Sequence, residues 1–413
     1  MPRTFDVPDF FRSPIISLIK HARRIQDPRK RDLSPSILNF GPVGFKIARH
    51  FGFCFGVENA IEIAYQALDD NPDKRVFLLS EMIHNPHVNN DLKERGIKFI
   101  SKTSGEQLIP FEELHTDDVV IVPAFGTTIE IENELSERNI SLHKYDTTCP
   151  FVEKVWTKSQ EIGQQQYTVI IHGKRDHEET RATFSHANAK AHVVVILDID
   201  EAKDLARMIR GEMPEDLFYE RFKNCYSDGF NPKLHLSRIG VVNQTTMLAN
   251  ETEAIANLLH QAIISRYGEK NSRNHFIDTK DTLCYATKEN QDATLALIED
   301  GADFAIIVGG YNSSNTSHLV ELCEAHMPTY FIRDANELIS PKQIRHLDIH
   351  TKKLMDTINW LPEKEEGKAI KIILTAGASC PDVLLDEVIR KIISWFPDSI
   401  SINQAISSYK DTY

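Results

Sequence analysis

Thr168-Val169-Ile170-Ile171-His172-Gly173 is a short β-branched, apolar run that breaks at a small residue, and His177-Glu178-Glu179-Thr180 follows shortly after it. A run of this length, apolar at nearly every position, predicts a strand covered on both faces, as strands of parallel sheets are. Outward from it the same alternation recurs. Val76-Phe77-Leu78-Leu79 and Val119-Val120-Ile121-Val122 come before it, and residues 193–197, 239–242, 305–308 and 370–374 come after. Helices are predicted where Val57, Ile61, Ala64 and Leu68 recur at three-to-four spacing, and again at Ala293, Leu297 and Ile298. The class is α/β with mostly parallel sheets.

A chain of 413 residues has room for several cores. With 47 basic against 60 acidic side chains, the net charge of −13 excludes phosphate-backbone binding as the main activity, so nucleic acid is not an expected partner. No run approaches the ~18 apolar residues of a membrane span, and Ile15-Ile16-Ser17-Leu18-Ile19 is too short for a secretory signal. Six cysteines without a CxxC pair do not form a secreted disulfide framework. A cytoplasmic protein is expected, or one of the plastid stroma if the source is a plant or alga. Residues 1–42 are rich in proline (Pro2, Pro8, Pro14, Pro28, Pro35) and carry a basic cluster of Lys20, Arg23, Arg24, Arg29, Lys30 and Arg31. They read as an extended arm.

Cys54, Cys149 and Cys284 each stand where a strand-like run gives way to a helical one. Two of them share a spelling, Asp146-Thr147-Thr148-Cys149 and Asp281-Thr282-Leu283-Cys284. Repetition of that kind suggests three pseudo-repeated α/β domains, at 43–148, 149–283 and 284–400, with a tail at 401–413. Residues 201–236 read as an insertion in the second, and about 341–368 as a polar interruption in the third. Thiolates at equivalent points of three units can converge on one centre, zinc or an iron–sulfur cluster, leaving a coordination position for substrate. Helix N-termini would favour the thiolate form. Buried inert thiols are common, however, and spacing alone leaves that reading open. Cys225, Cys323 and Cys380 read as ordinary surface or core thiols.

Several strand ends open into small polar residues: His84-Asn85-Pro86, Asn243-Gln244-Thr245-Thr246, Gly309 through Asn315, and Thr375-Ala376-Gly377-Ala378-Ser379. Such turns aim N–H and hydroxyl groups at an anion, although helix caps need the same residues. Together they suggest a phosphorylated ligand. Glu179 is a candidate proton carrier, or merely a favourable charge at a helix start. The absence of GxGxxG and GxxxxGK excludes a dinucleotide fingerprint and a P-loop.

In order and spelling, these motifs resemble the hydroxymethylbutenyl diphosphate reductases, from about residue 45 to 395. The carriers include Gly52-Phe53-Cys54-Phe55-Gly56-Val57, His84-Asn85-Pro86, Asp146 to Pro150, His177 to Thr180, Gln244-Thr245-Thr246, Cys284-Tyr285-Ala286-Thr287, Asn312 to Asn315 and Thr375 to Ser379. The longer plant and cyanobacterial forms look most similar. The resemblance implies three similar domains around a central 4Fe-4S cluster, one per chain, held by Cys54, Cys149 and Cys284 with one iron open. It implies that His84, His177, Ser313, Ser314, Asn315 and Ser379 bind diphosphate, that Glu179 relays the proton, and that Thr245 lies near the substrate hydroxyl. The implied reaction is the reductive dehydroxylation of an allylic diphosphate to isopentenyl and dimethylallyl diphosphate. This is the last step of the methylerythritol phosphate route, with ferredoxin or flavodoxin as electron donor. One departure is Phe125 in Pro123-Ala124-Phe125-Gly126, where many bacterial members carry histidine. A phenyl ring cannot donate a hydrogen bond, so water or Thr127 is the expected stand-in. Without the resemblance, a zinc phosphohydrolase and a non-catalytic iron–sulfur carrier remain alternatives.

Overall fold

The computed structural model describes residues 5–277, 282–363 and 368–412. Pro2, Asp281 and residues 364–367 of the polar interruption lie outside the described residues. The chain divides into two compact units, one of residues 1–58, 84–87 and 285–413, the other of 59–83 and 88–284.

The first unit is built on a five-stranded sheet in the order Ser36–Asn39, Val43–Ile47, Ile370–Ala376, Phe304–Val308, Thr329–Ile332. Only the first pair is antiparallel. Ile372 lies opposite both Phe45 and Phe304, so the interior strand is paired on both edges. Every residue of Phe304–Val308 is buried, which is why the sequence shows no polar alternation there. Each such Ile or Val contributes about 1.5–3 kcal/mol by leaving water. The expected segment 43–148 is divided between the two units. Its first strand, Val43–Ile47, belongs to the sheet made by the C-terminal part of the chain.

The N-terminal arm is also not extended. Pro14–Gln26 is a helix, with Pro14 in its first turn and the Ser13 hydroxyl accepting the Ile16 N–H at 3.2 Å. Ile15, Ile16 and Ile19 form a stripe that enters the core of this unit. Residues 36–39 then join the sheet. Proline content masked this periodicity. The polar interruption near 341–368 contains a hairpin, Gln343–Asp348 with Lys353–Ile358, in a small antiparallel sheet with Leu338–Ser340.

The second unit contains two all-parallel sheets, Lys98–Phe99, Val76–Leu78, Val119–Ile121 and Val193–Ile196, Thr168–His172, Ile239–Asn243, Phe276–Ile277. The 201–236 insertion is part of the covering layer. Helix Ile199–Arg210 starts at an Asp198 side-chain cap and stops at Gly211 in the left-handed conformation. Helix Glu215–Arg221 and the following loop bring Phe218, Phe222 and Phe230 into one core with Leu205, Ile209, Ile255 and Leu259. No described helix is long and apolar enough to cross a membrane.

Candidate active site

Each of the three parallel-stranded sheets leads into one of the singled-out cysteines. Cys54 follows Val43–Ile47 and precedes helix Phe55–Asp70; Cys149 caps Pro150–Gln164; Cys284 follows Phe276–Ile277 and precedes Tyr285–Asp300. Cys54 belongs to the first unit, Cys149 and Cys284 to the second. No disulfide joins any of the six cysteines.

The shared DTxC spelling has a physical basis. Thr147 and Thr282 both lie two residues before their cysteine, and both tie the loop to a strand end. The Thr147 hydroxyl donates to the Val122 carbonyl at 2.6 Å, and that of Thr282 to Asn243 Oδ1 at 2.6 Å. Asp146 adds an Asx turn by accepting from both the N–H and the hydroxyl of Thr148. The Cys149 N–H donates to the Ala124 carbonyl at 3.0 Å.

Burial pushes the Cys149 thiol up to about 11; the Phe151 N–H works against this, and the charges of Cys284 and Glu179 add to it. Without a metal, desolvation thus works against the thiolate form that the helix terminus favours. Within either unit, among the described residues, no three His, Cys, Asp or Glu side chains close on one point. The donor set nevertheless fits a sulfur-bound centre. Desolvation and the charge of Glu179 oppose a Cys149 thiolate, and a coordinated metal would offset both and strip the thiol proton.

Glu179 is 1% exposed. Its carboxylate accepts from the Thr245 N–H through one oxygen and from the Thr245 hydroxyl, at 2.9 Å, through the other. The Glu179 N–H in turn donates to His177 Nδ1 at 3.2 Å, which makes His177 the cap of helix Glu178–Asn188 and leaves the neutral ring's proton on Nε2. Phe125 meets the His177 ring edge-on, with centroids 5.6 Å apart. It packs against an imidazole where a histidine was expected to donate. Thr127, the expected stand-in, is buried, and its carbonyl lies 3.1 Å from His186 Nε2.

The other sequence-predicted residues gather in the first unit. Ser313 caps helix Ser314–Glu324, accepting from the Thr316 N–H at 3.3 Å and the Thr316 hydroxyl at 2.9 Å. Asn315 Oδ1 accepts the Ala378 N–H at 2.8 Å, and the Ser379 hydroxyl donates to the His84 carbonyl at 3.2 Å. Three loops thereby meet at one helix N-terminus. Gly310 is required at this junction, since a Cβ there would lie 2.2 Å from the His84 carbonyl oxygen. The Ser314 hydroxyl and the amide nitrogens of Asn85 and Asn315 are buried without a protein partner among the described residues. Buried donors facing a helix N-terminus suit an anion. Two residues of this junction were not singled out in the sequence. Asn85 stood only as part of its motif, and Thr316 carries no signal beyond its position in a helix's first turn.

The first unit thus offers a helix N-terminus ringed by buried polar donors, and the second offers Cys149, Cys284 and a fixed carboxylate; the class is that of an α/β enzyme. The profile of the family described as LytB protein matches residues 45–393. The chain is 40% identical over 358 residues to the 4-hydroxy-3-methylbut-2-enyl diphosphate reductase of Gloeobacter violaceus, covering 86% of this chain and 84% of that one. It is 38% identical over 383 residues to the protein of the same name from Prochlorococcus marinus, covering 91% and 93%. Among solved structures it is similar to (E)-4-hydroxy-3-methyl-but-2-enyl diphosphate reductase, the terminal enzyme of the non-mevalonate pathway. That match has a TM-score of 0.50 and 25% identity, and covers 84% of this chain and 98% of that one. The fold is also that of the Plasmodium falciparum reductase, at TM-score 0.59, 21% identity and coverage of 84% and 87%. The chain belongs to the LytB protein family and is an oxidoreductase.

Proposed function

We propose that the protein reduces 4-hydroxy-3-methylbut-2-enyl diphosphate, releasing the allylic hydroxyl as water and yielding isopentenyl and dimethylallyl diphosphate. The names of its relatives support the substrate. The observation that carries the chemistry is the buried Glu179 carboxylate, hydrogen-bonded through both oxygens to Thr245 and close enough to Cys149 to act on its charge. Cys54, Cys149 and Cys284 hold a 4Fe-4S cluster that, when bound, supplies electrons and a Lewis-acidic iron without a protein ligand.

Glu179 delivers the proton that lets the hydroxyl depart. With both oxygens bonded to Thr245 it is held in one orientation, and its conjugate base is already solvated by the protein when the proton leaves. Ser313, Ser314, Asn315 and Ser379, with His84 and His177, bind the diphosphate. The buried Ser314 and Asn315 donors find their missing acceptors in its oxygens, and His177 presents its Nε2 proton because Nδ1 is occupied. Binding energy from this non-reacting group positions the hydroxymethyl end. Ferredoxin or flavodoxin supplies the two electrons, and a second proton, added at either end of the allylic system, completes the two products.

Glu179→Gln tests the assignment. Turnover is expected to fall by about 10²-fold or more while iron and acid-labile sulfide stay at wild-type content. Unchanged turnover with an intact cluster overturns it. Iron and sulfide analysis of anaerobically purified protein separates this reading from a zinc phosphohydrolase, and a substrate-induced spectral change separates it from an electron carrier.

A further inference from the structure

Three aromatic residues flank Cys54 at alternate positions, Phe51, Phe53 and Phe55, and each is held from the N-terminal segment. Phe55 meets Phe5 edge-on with ring centroids 4.9 Å apart, Phe53 meets Phe11 at 5.9 Å, and Lys20 Nζ stands 4.6 Å from the centroid of Phe51. Lys20 also bonds both carboxylate oxygens of Asp382, at 2.7 and 3.0 Å. Gly52 has φ +74°, and a Cβ on it would lie 2.6 Å from Asp382 Oδ1 and 3.2 Å from Lys20 Nζ, so the loop closes directly onto this ion pair. Arg49 donates to the carbonyls of Arg23 and Asp27, at 3.5 and 3.2 Å. The Cys54 N–H donates to the Ala378 carbonyl at 3.2 Å.

A solvated arm would leave these groups in water. Instead Phe5 and Phe11 are buried, and Arg23, 1% exposed, donates to the Asp32 and Ser34 carbonyls and pairs with Asp32 at 3.0 Å. The segment thus commits Phe5, Phe11 and Lys20 to one loop and Arg23 to its own return. We infer that residues 5–26 act as a clamp on loop 48–55, with Lys20, Phe5 and Phe11 as positioning residues that hold Cys54 in place as a ligand. The inference rests on Cys54 being a cluster ligand, as proposed above.

The test uses the full chain with Lys20→Met, Phe11→Leu and, as the conservative control, Lys20→Arg. Two rates are read: loss of iron to an excess of a ferrous chelator from the anaerobically loaded protein, and native-state alkylation of each cysteine in the cluster-free protein, located by mass spectrometry. Both rates report local opening, and a lost cation–π contact with a lost charge-assisted hydrogen bond is expected to raise them about ten-fold. Lys20→Met and Phe11→Leu should accelerate iron loss and Cys54 alkylation by that factor while leaving Cys149 within about two-fold, and Lys20→Arg should stay close to wild type. Wild-type rates in both variants, or equal acceleration at Cys54 and Cys149, overturn the clamp. Wild-type protein that holds no iron–sulfur cluster overturns the ligand assignment instead, and the alkylation pattern still decides the clamp.

Discussion

At the scale of single residues, the chemistry rests on short polar side chains that hold a loop to a strand end. Thr282 is the sharpest case. Its hydroxyl satisfies Asn243 Oδ1 at 2.6 Å, and Asn243 is fully buried, with its amide nitrogen donating to the Gln244 carbonyl. Valine has the shape of threonine without the hydroxyl, so Thr282→Val leaves a buried carbonyl oxygen unpaired. The expected cost is about 1–3 kcal/mol in denaturant unfolding, whereas Thr282→Ser should lose less than half of that. Equal stability of the valine variant would show that the bond contributes nothing. The repeat of Asp and Thr before two cysteines was legible in the sequence as a repeat. Its cause was not, because the partners Val122, just past the end of Val119–Ile121, and Asn243, the last residue of Ile239–Asn243, are not named by the spelling.

At the scale of the element, helix Ser314–Glu324 does most to build the proposed anion site. Its capping residue, its first two residues and the Thr316 hydroxyl are all buried. The run from Gly309 to Asn315 already read as an anion-binding turn, since glycine and short polar residues after an apolar strand have few other uses. What the sequence could not give is the division of labour within Asn315. One end, Oδ1, holds the Ala378 N–H, and the other, Nδ2, has no protein partner among the described residues. Asn315→Asp keeps the first function, removes the second and places a carboxylate where phosphate would lie. Loop geometry and unfolding midpoint should therefore persist, while the affinity for inorganic pyrophosphate falls about ten-fold or more, read by calorimetry. Undiminished pyrophosphate binding would remove Asn315 from the pocket.

For the whole molecule, the strands were legible and their partners were not. All seven apolar runs singled out in the sequence are strands, but a run covered on both faces carries no mark of which neighbour it pairs with. Residues 43–47 thus join residues 370–376 across most of the chain's length, and the first unit is closed by segments from both ends. The return of the N-terminal segment onto this sheet buries His50, whose Nδ1 is 3.4 Å from the Glu289 carboxylate. Burial and the neighbouring charges of Arg49 and Lys30 outweigh the opposing charge of Asp27 and a hydrogen bond with the Lys30 backbone, and they lower the imidazole pKa from 6.5 to about 4. The native state therefore prefers the neutral ring. Its contribution is fully present above pH 6.5 and is lost as pH falls toward about 4, because the unfolded chain takes up the proton first. Between about pH 7.5 and 5 the expected loss from this one group is about 2 kcal/mol. Carboxylates add their own acid sensitivity, so the measurement is a difference. His50→Gln keeps a donor for Glu289 and does not titrate, and denaturant unfolding of both proteins at the two pH values should show the variant losing less by roughly that amount. Parallel pH dependence of the two proteins would mean that the imidazole takes up its proton in the folded state as readily as in the unfolded one.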